Sequence, residues 1–180
     1  MGEICDSDLT LSAALAGKEI PPSIRDSLVL VSVTYLSFDS RIHRGQVVIH
    51  RALARDIRAI FEELERMHFP LHRAVPISAY GWDDDASMRA NNSSAFNYRT
   101  IAGTNDISVH AFGWAIDINP LFNPYTRRDG VVIPAGAFYD SARPGTVTGE
   151  IARIFTARGW QWGGDWEGKR KDWQHFSKRP

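Results

Sequence analysis

Between Ser27 and Phe38 the chain reads SLVLVSVTYLSF, a run of β-branched and aromatic residues that predicts a strand. GQVVIH, from Gly45 to His50, reads as its partner, with DSRIHRG as the connection. From Arg51 to about Met67 the apolar residues fall at Leu53, Ile57, Ile60, Phe61, Leu64 and Met67. That spacing predicts a helix with a charged outer face, and Pro70 lies beyond its end. VPISAYGW, from Val75 to Trp82, predicts another strand. The polar stretch from Asp83 to Asp106 is long for a connection inside a domain, and such loops are usually functional or disordered. In GWAIDINP, Trp114, Ile116 and Ile118 alternate with Ala115, Asp117 and Asn119, a strand with one polar face.

Leu121 to Gly145 is a loop with several prolines. Thr146 or Thr148 can cap a short helix through about Ala157, and Gly159 suits its C-terminal end. GWQWGGDW and DWQHFS close the chain as strand-like segments. Helices and strands mix without β-α-β alternation, which predicts an α+β fold, an antiparallel sheet with flanking helices. The 180 residues suit a single domain, 1–180, with roughly the first 25 readable as an extension.

Composition narrows the function classes. Hydrophobic residues make up 43%, enough for a core, and the formal net charge is +0, so no basic stripe argues for nucleic acid. One cysteine, Cys5, excludes an intrachain disulfide and a paired-cysteine metal site. No apolar run is long enough to predict a membrane span, and the N-terminus does not read as a secretory signal.

The candidate chemistry lies in SVHAFGWAIDINP and in the C-terminal DWQHF. His110, Asp117 and His175 offer the imidazole nitrogens and carboxylate oxygen that suit a three-ligand zinc site with one position left for water. Asp117 lies on the polar face of its strand, where a bound cation would compensate its desolvation. Asp172, three residues before His175, is the carboxylate expected to accept a proton from the attacking water and pass it to the leaving amine, and Asp165 is the alternative. Arg99 could stabilise an oxyanion or bind a substrate carboxylate, with Arg89 as its rival. Ser108 could bond substrate or cap a turn. The Asp83–Asp85 run reads as a solvated turn, and the tryptophans as core or cleft wall.

SVHAFGWAID fits Ser-x-His-x-x-Gly-x-Ala-x-Asp, and DWQHF fits a closing Asp/Glu-x-x-His-Phe. Together they resemble the zinc D-alanyl-D-alanine metallopeptidases, a group of D-Ala-D-Ala carboxypeptidases and dipeptidases and L-alanyl-D-glutamate endopeptidases. SMRANNSSAFNYR, AIDINPLFNPY and GWQWGGDW strengthen the likeness, which covers about Ile77 to Phe176. The resemblance implies the fold shared with the hedgehog signalling domain and Zn2+ held by His110, Asp117 and His175. It also implies Asp172 as base and Arg99 as the transition-state arginine. The implied activity is hydrolysis of peptidoglycan stem peptides, carboxypeptidase-like, with an L-alanyl-D-glutamate endopeptidase as the alternative. A non-catalytic zinc module binding the cell wall or a protein partner is a second class of reading. The implied place of action is the cell wall, reached by processing, another export route or phage delivery.

Overall fold

The computed structural model describes residues 2–180. Among these residues nine strands form three small sheets rather than the single sheet expected. The first holds β1 (Ile4–Cys5), β2 (Leu28–Leu36) and β3 (Ile42–His50) in the order β1-β3-β2. β2 and β3 are an antiparallel hairpin in register from Leu28↔His50 to Leu36↔Ile42, while β1 lies parallel to β3. Ile42, His43 and Arg44 therefore belong to the strand, not to the connecting loop. The hairpin closes tightly, with Ser37 N donating to Arg41 O and Ser40 at positive φ. Two one-turn helices, α1 (Leu11–Ala14) and α2 (Pro22–Arg25), lie between β1 and β2. Ala14, Leu15 and Ile20 from this N-terminal part are buried against Leu28, Val48 and Phe96.

α3 (Ala54–Arg66) buries Ile57, Ile60, Phe61 and Leu64 under the hairpin, the face its periodicity predicts. It ends at Met67 with His68 at positive φ, two residues before Pro70. Val75 to Trp82 is not a strand. Ile77–Tyr80 is a 3-10 turn, opened by Pro76 and closed by Gly81 in the left-handed region. A short apolar run fits strand or turn equally well, and the flanking Pro and Gly decide for the turn. The long polar stretch is also less irregular than it reads: Asp83 caps α4 (Asp84–Arg89) by accepting from Ala86 N at 3.0 Å.

The second sheet has the order β4-β9-β7, from β4 (Ala115–Asp117), β9 (His175–Ser177) and β7 (Gln161–Trp162). The third has the order β6-β5-β8, from β6 (Val132–Ile133), β5 (Tyr125–Thr126) and β8 (Lys171–Asp172). α5 (Gly149–Thr156) precedes β7 and buries Ile151, Ala152, Ile154 and Phe155. Thr148 stands at its N-cap position without a side-chain bond, and Gly159 takes positive φ beyond its end. One core runs through the hairpin, α3, α5 and the second sheet, and Phe176 lies in it, stacked on Phe155 at 3.7 Å between ring centroids. Phe176 thereby anchors the strand that begins with His175.

Candidate metal centre

Three local structures converge at one point. Asp117 and His175 are register partners of the antiparallel pair β4–β9, so their side chains stand on the same face. His110 comes from elsewhere in the motif. It lies in a 3-10 turn, Val109–Phe112, and not in a continuous strand with Asp117. Ser108 caps that turn, its hydroxyl oxygen accepting from His110 N at 3.2 Å. Gly113 ends it at φ 66°, and a Cβ there would meet His50 N at 2.6 Å. Only glycine permits both that conformation and that approach. The two small residues in the motif are thus what turns the chain from the histidine into the aspartate strand.

His110 Nε2 stands 3.2 Å from His175 Nδ1 and 3.4 Å from Asp117 Oδ2. His175 Nδ1 is 3.1 Å from Asp117 Oδ1. Tetrahedral ligation at about 2.0–2.1 Å places ligand atoms about 3.3 Å apart, so this donor set fits zinc with little rearrangement. The ring of His110 is held by its other nitrogen, since Nδ1 lies 2.6 Å from the Ala95 carbonyl. A proton on Nδ1 leaves the Nε2 lone pair facing the cluster, the usual support for a ligand histidine. Ala95 is aligned because its neighbour Ser94 exchanges backbone bonds with Asp117, at 3.1 and 2.9 Å.

Electrostatics agree with a charged ligand set. Burial works against ionisation of Asp117, but the His110 and His175 rings outweigh it and hold the carboxyl well below the usual range. Burial lowers the His110 pKa, yet its pairing with Asp117 raises it overall. Asp172 is the opposite case. Burial, reinforced by Asp117, pushes its pKa up to about 6 against the pull of His175 and His110. Its Oδ1 is buried with no hydrogen-bond partner. Gly163 accounts for how closely Asp172 is enclosed, since a Cβ there would meet Asp172 O at 2.4 Å and Asp172 Cβ at 2.8 Å. A carboxyl group with a raised pKa and an unpaired oxygen therefore lies beside the clustered donor atoms of His110, Asp117 and His175.

The remaining candidates lie as follows. Arg99 Nη2 pairs with Asp84 Oδ2 at 2.8 Å, and its charge is felt at His110. Asp84 also accepts from Asn97 Nδ2 at 3.0 Å, so one of the aspartates read as a solvated turn in fact tethers the arginine loop. Arg89 is exposed in the last turn of α4 and has no ion-pair partner among the described residues. Asp165 is exposed. Trp166 stands against His175, with ring centroids 5.9 Å apart. The Ala95 carbonyl had no side-chain signal that could reveal it, whereas the paired glycines of WGGD were a visible sign of close packing.

A family model described as D-alanyl-D-alanine carboxypeptidase matches residues 102–178. That segment is similar to the D-alanyl-D-alanine carboxypeptidase family. It contains His110, Asp117, Asp172 and His175, and leaves Arg89 and Arg99 outside the matched span. No curated protein and no solved structure gives a match. The model's description is that of a hydrolase, and no described helix is long and apolar enough to cross a membrane.

Proposed function

We propose that the protein is a zinc-dependent peptidase of the hedgehog-like fold that trims peptidoglycan stem peptides at the cell wall, as a D-Ala-D-Ala carboxypeptidase. The observation that carries the reading is the unpaired, buried Oδ1 of Asp172 beside the His110, Asp117 and His175 donors. A purely structural site needs no such oxygen and would close its fourth position with a protein ligand.

His110 Nε2, Asp117 and His175 Nδ1 would hold the ion, which when bound supplies Lewis-acid polarisation of the scissile carbonyl and acidifies a water. Asp172 takes the proton of the attacking water and returns it to the departing amine, a role its raised pKa suits. As a base it must be ionised, so turnover falls as pH drops through its pKa. A nearby cation pulls that value below the metal-free figure of about 6. Arg99, steadied by Asp84, supplies positive charge for the oxyanion or for the substrate's terminal carboxylate. Arg89 is the second arginine available to that carboxylate. Ser108 serves the site by holding the His110 turn.

The test offers the zinc-loaded protein a synthetic pentapeptide stem with a free carboxyl end and the same peptide amidated there, with products read by mass spectrometry. Release of free D-Ala from the acid alone is the expected result. Equal cleavage of both, at the bond between L-alanine and D-glutamate, would replace this reading with the endopeptidase. No cleavage of either by zinc-loaded protein would leave the non-catalytic module.

A further inference from the structure

The chain as a whole has a formal net charge of +0, yet arginines cluster on the third sheet. On the third sheet a recess of about 300 Å³ is lined by Tyr125, Arg127, Arg128, Asp129 and Arg170. Arg127 is already paired with Asp129 at 3.1 Å. Among the described residues Arg128 and Arg170 have no ion-pair partner, so the recess keeps a net positive charge. Arg170 is nonetheless held in place. Its guanidinium lies 4.2 Å from the centre of the Trp166 ring and 5.8 Å from that of Tyr125. Stacking of this kind fixes the plane of an arginine and leaves its edge donors free for a carboxylate.

The register ties this recess to the catalytic carboxylate. Tyr125 and Asp172 are partners in the β5–β8 pair and share a face. Arg127 directly follows β5 and Arg170 directly precedes β8, and both line the recess together with Tyr125. Trp166 bridges the remaining gap, since the ring that carries Arg170 is 5.9 Å from the His175 ring. An extended peptide advances about 3.4 Å per residue, so the Arg170–Trp166 and Trp166–His175 separations together span at most roughly three residues of bound chain.

We propose that this recess is an anion subsite that recognises an ionised carboxylate of the substrate peptide two or three residues from the scissile bond, with Arg170 and Arg128 as its ligands. It rests on the peptidase reading and adds a requirement to it: the preferred stem peptide carries a second free carboxylate besides its C-terminus. The α-carboxyl of a γ-linked D-glutamate has that chemistry, and its amide does not.

The experiment uses two synthetic stem pentapeptides that differ only in the D-glutamate α-carboxyl, free in one and amidated in the other. Binding is measured by calorimetry to the full-length Asp172→Asn protein, which leaves the peptides intact, and turnover is measured with the unmodified zinc-loaded protein. The acid should bind about tenfold more tightly than the amide, the scale of a charge-assisted pair, and the preference should shrink with added salt. Arg170→Gln should abolish the preference by weakening the acid alone, and Arg128→Gln should reduce it. Equal binding of the two peptides would overturn the subsite, as would an Arg170→Gln loss that falls equally on both. A binding preference without turnover of either peptide would sink the peptidase reading while leaving the subsite standing.

Discussion

The hairpin-and-helix half of the molecule and the half that carries the candidate metal centre are built on different principles. In the first, β2 and β3 pair over nine positions and α3 lays an apolar stripe beneath them. Val31, Val33 and Tyr35 alternate inward, and burial of side chains like these does the stabilising. In the second half the strands are two or three residues long, too short to persist on their own ladders. Buried asparagines hold the segments instead. Asn119 accepts from His72 N at 3.0 Å and donates to Pro70 O at 2.9 Å and Gly145 O at 3.0 Å. Asn123 accepts from Val147 N and donates to Ile118 O and Gly145 O. Asn92 bonds both backbone groups of Val75. The lesson is that a site assembled from loops draws its rigidity from side chains that copy backbone partners.

The largest effect expected lies in the metal half. His110→Ala or His175→Ala leaves two protein ligands, and both zinc content and turnover should fall to background in metal analysis and peptide assays. Asp172→Asn keeps the side chain's size and removes its basicity. Zinc should remain bound while turnover falls by roughly 10²–10⁴-fold. Near-unmodified turnover in that variant would move the proton to another group, and loss of zinc would make Asp172 a ligand.

The next prediction sets the two halves against each other. Leu64→Ala opens a cavity under the hairpin and should cost about 2–5 kcal/mol in denaturant unfolding. Zinc affinity of the folded protein should stay unchanged. Asn119→Ala removes the partner of His72 N and Pro70 O, and each buried group left unpaired costs about 1–3 kcal/mol. Its stability loss should therefore be comparable. Asn119 lies two residues from Asp117 and at positive φ, so zinc affinity should also fall, by about 10–100-fold, as for lost support behind a ligand. Equal zinc affinity in both variants would show that the asparagine holds the fold and not the centre.

The same contrast explains what the sequence makes legible. The hairpin and α3 announce themselves because burial imposes a period on their residues, and only their ends shift, as at Ile42 and Met67. The candidate metal ligands are readable for a different reason: SVHAFGWAID and DWQHF put unusual chemistry at fixed spacing. What links the two motifs is not readable. Nothing local pairs Asp117 with His175, assigns the Ala95 carbonyl to His110, or divides the strands among three sheets. Val75–Trp82 reads as a strand and is a turn because a short apolar run has no period of its own, and α4 leaves no periodic signal because it is only six residues long. Asp84 looked like one of three solvated acids until its partners, Asn97 and Arg99, were brought to it through the fold.

The smallest effect belongs to the hairpin half and to its attachment to the N-terminal segment. His43 Nδ1 is 2.8 Å from Asp6 Oδ2, and Nε2 is 3.2 Å from Asp39 Oδ2, so one imidazolium joins the segment before α1 to the hairpin turn. The Tyr35 hydroxyl donates to the same Asp6 carboxylate. Burial lowers the His43 pKa, but the bonds to Asp6 and Asp39 outweigh it and the value is raised above 6.5. A raised value means that the folded protein holds this proton more tightly than the unfolded chain. Its contribution is then complete below pH 6.5 and is lost as pH rises through the folded value. His50 and His72, both lowered chiefly by burial, act in the opposite sense, so raw melting temperatures against pH would mix the two. The comparison is therefore between the unmodified protein and His43→Asn across about pH 6 to 9. The unmodified protein should hold an advantage on the order of 1 kcal/mol at the acid end, the scale of a partly exposed ion pair, shrinking toward the alkaline end. Protection factors at Ile4 and Cys5, with the intrinsic base-catalysed rise of exchange divided out, should fall over the same range in the unmodified protein and stay flat in the variant. A constant difference between the two proteins at every pH would mean that His43 serves the hairpin by packing, and not by charge.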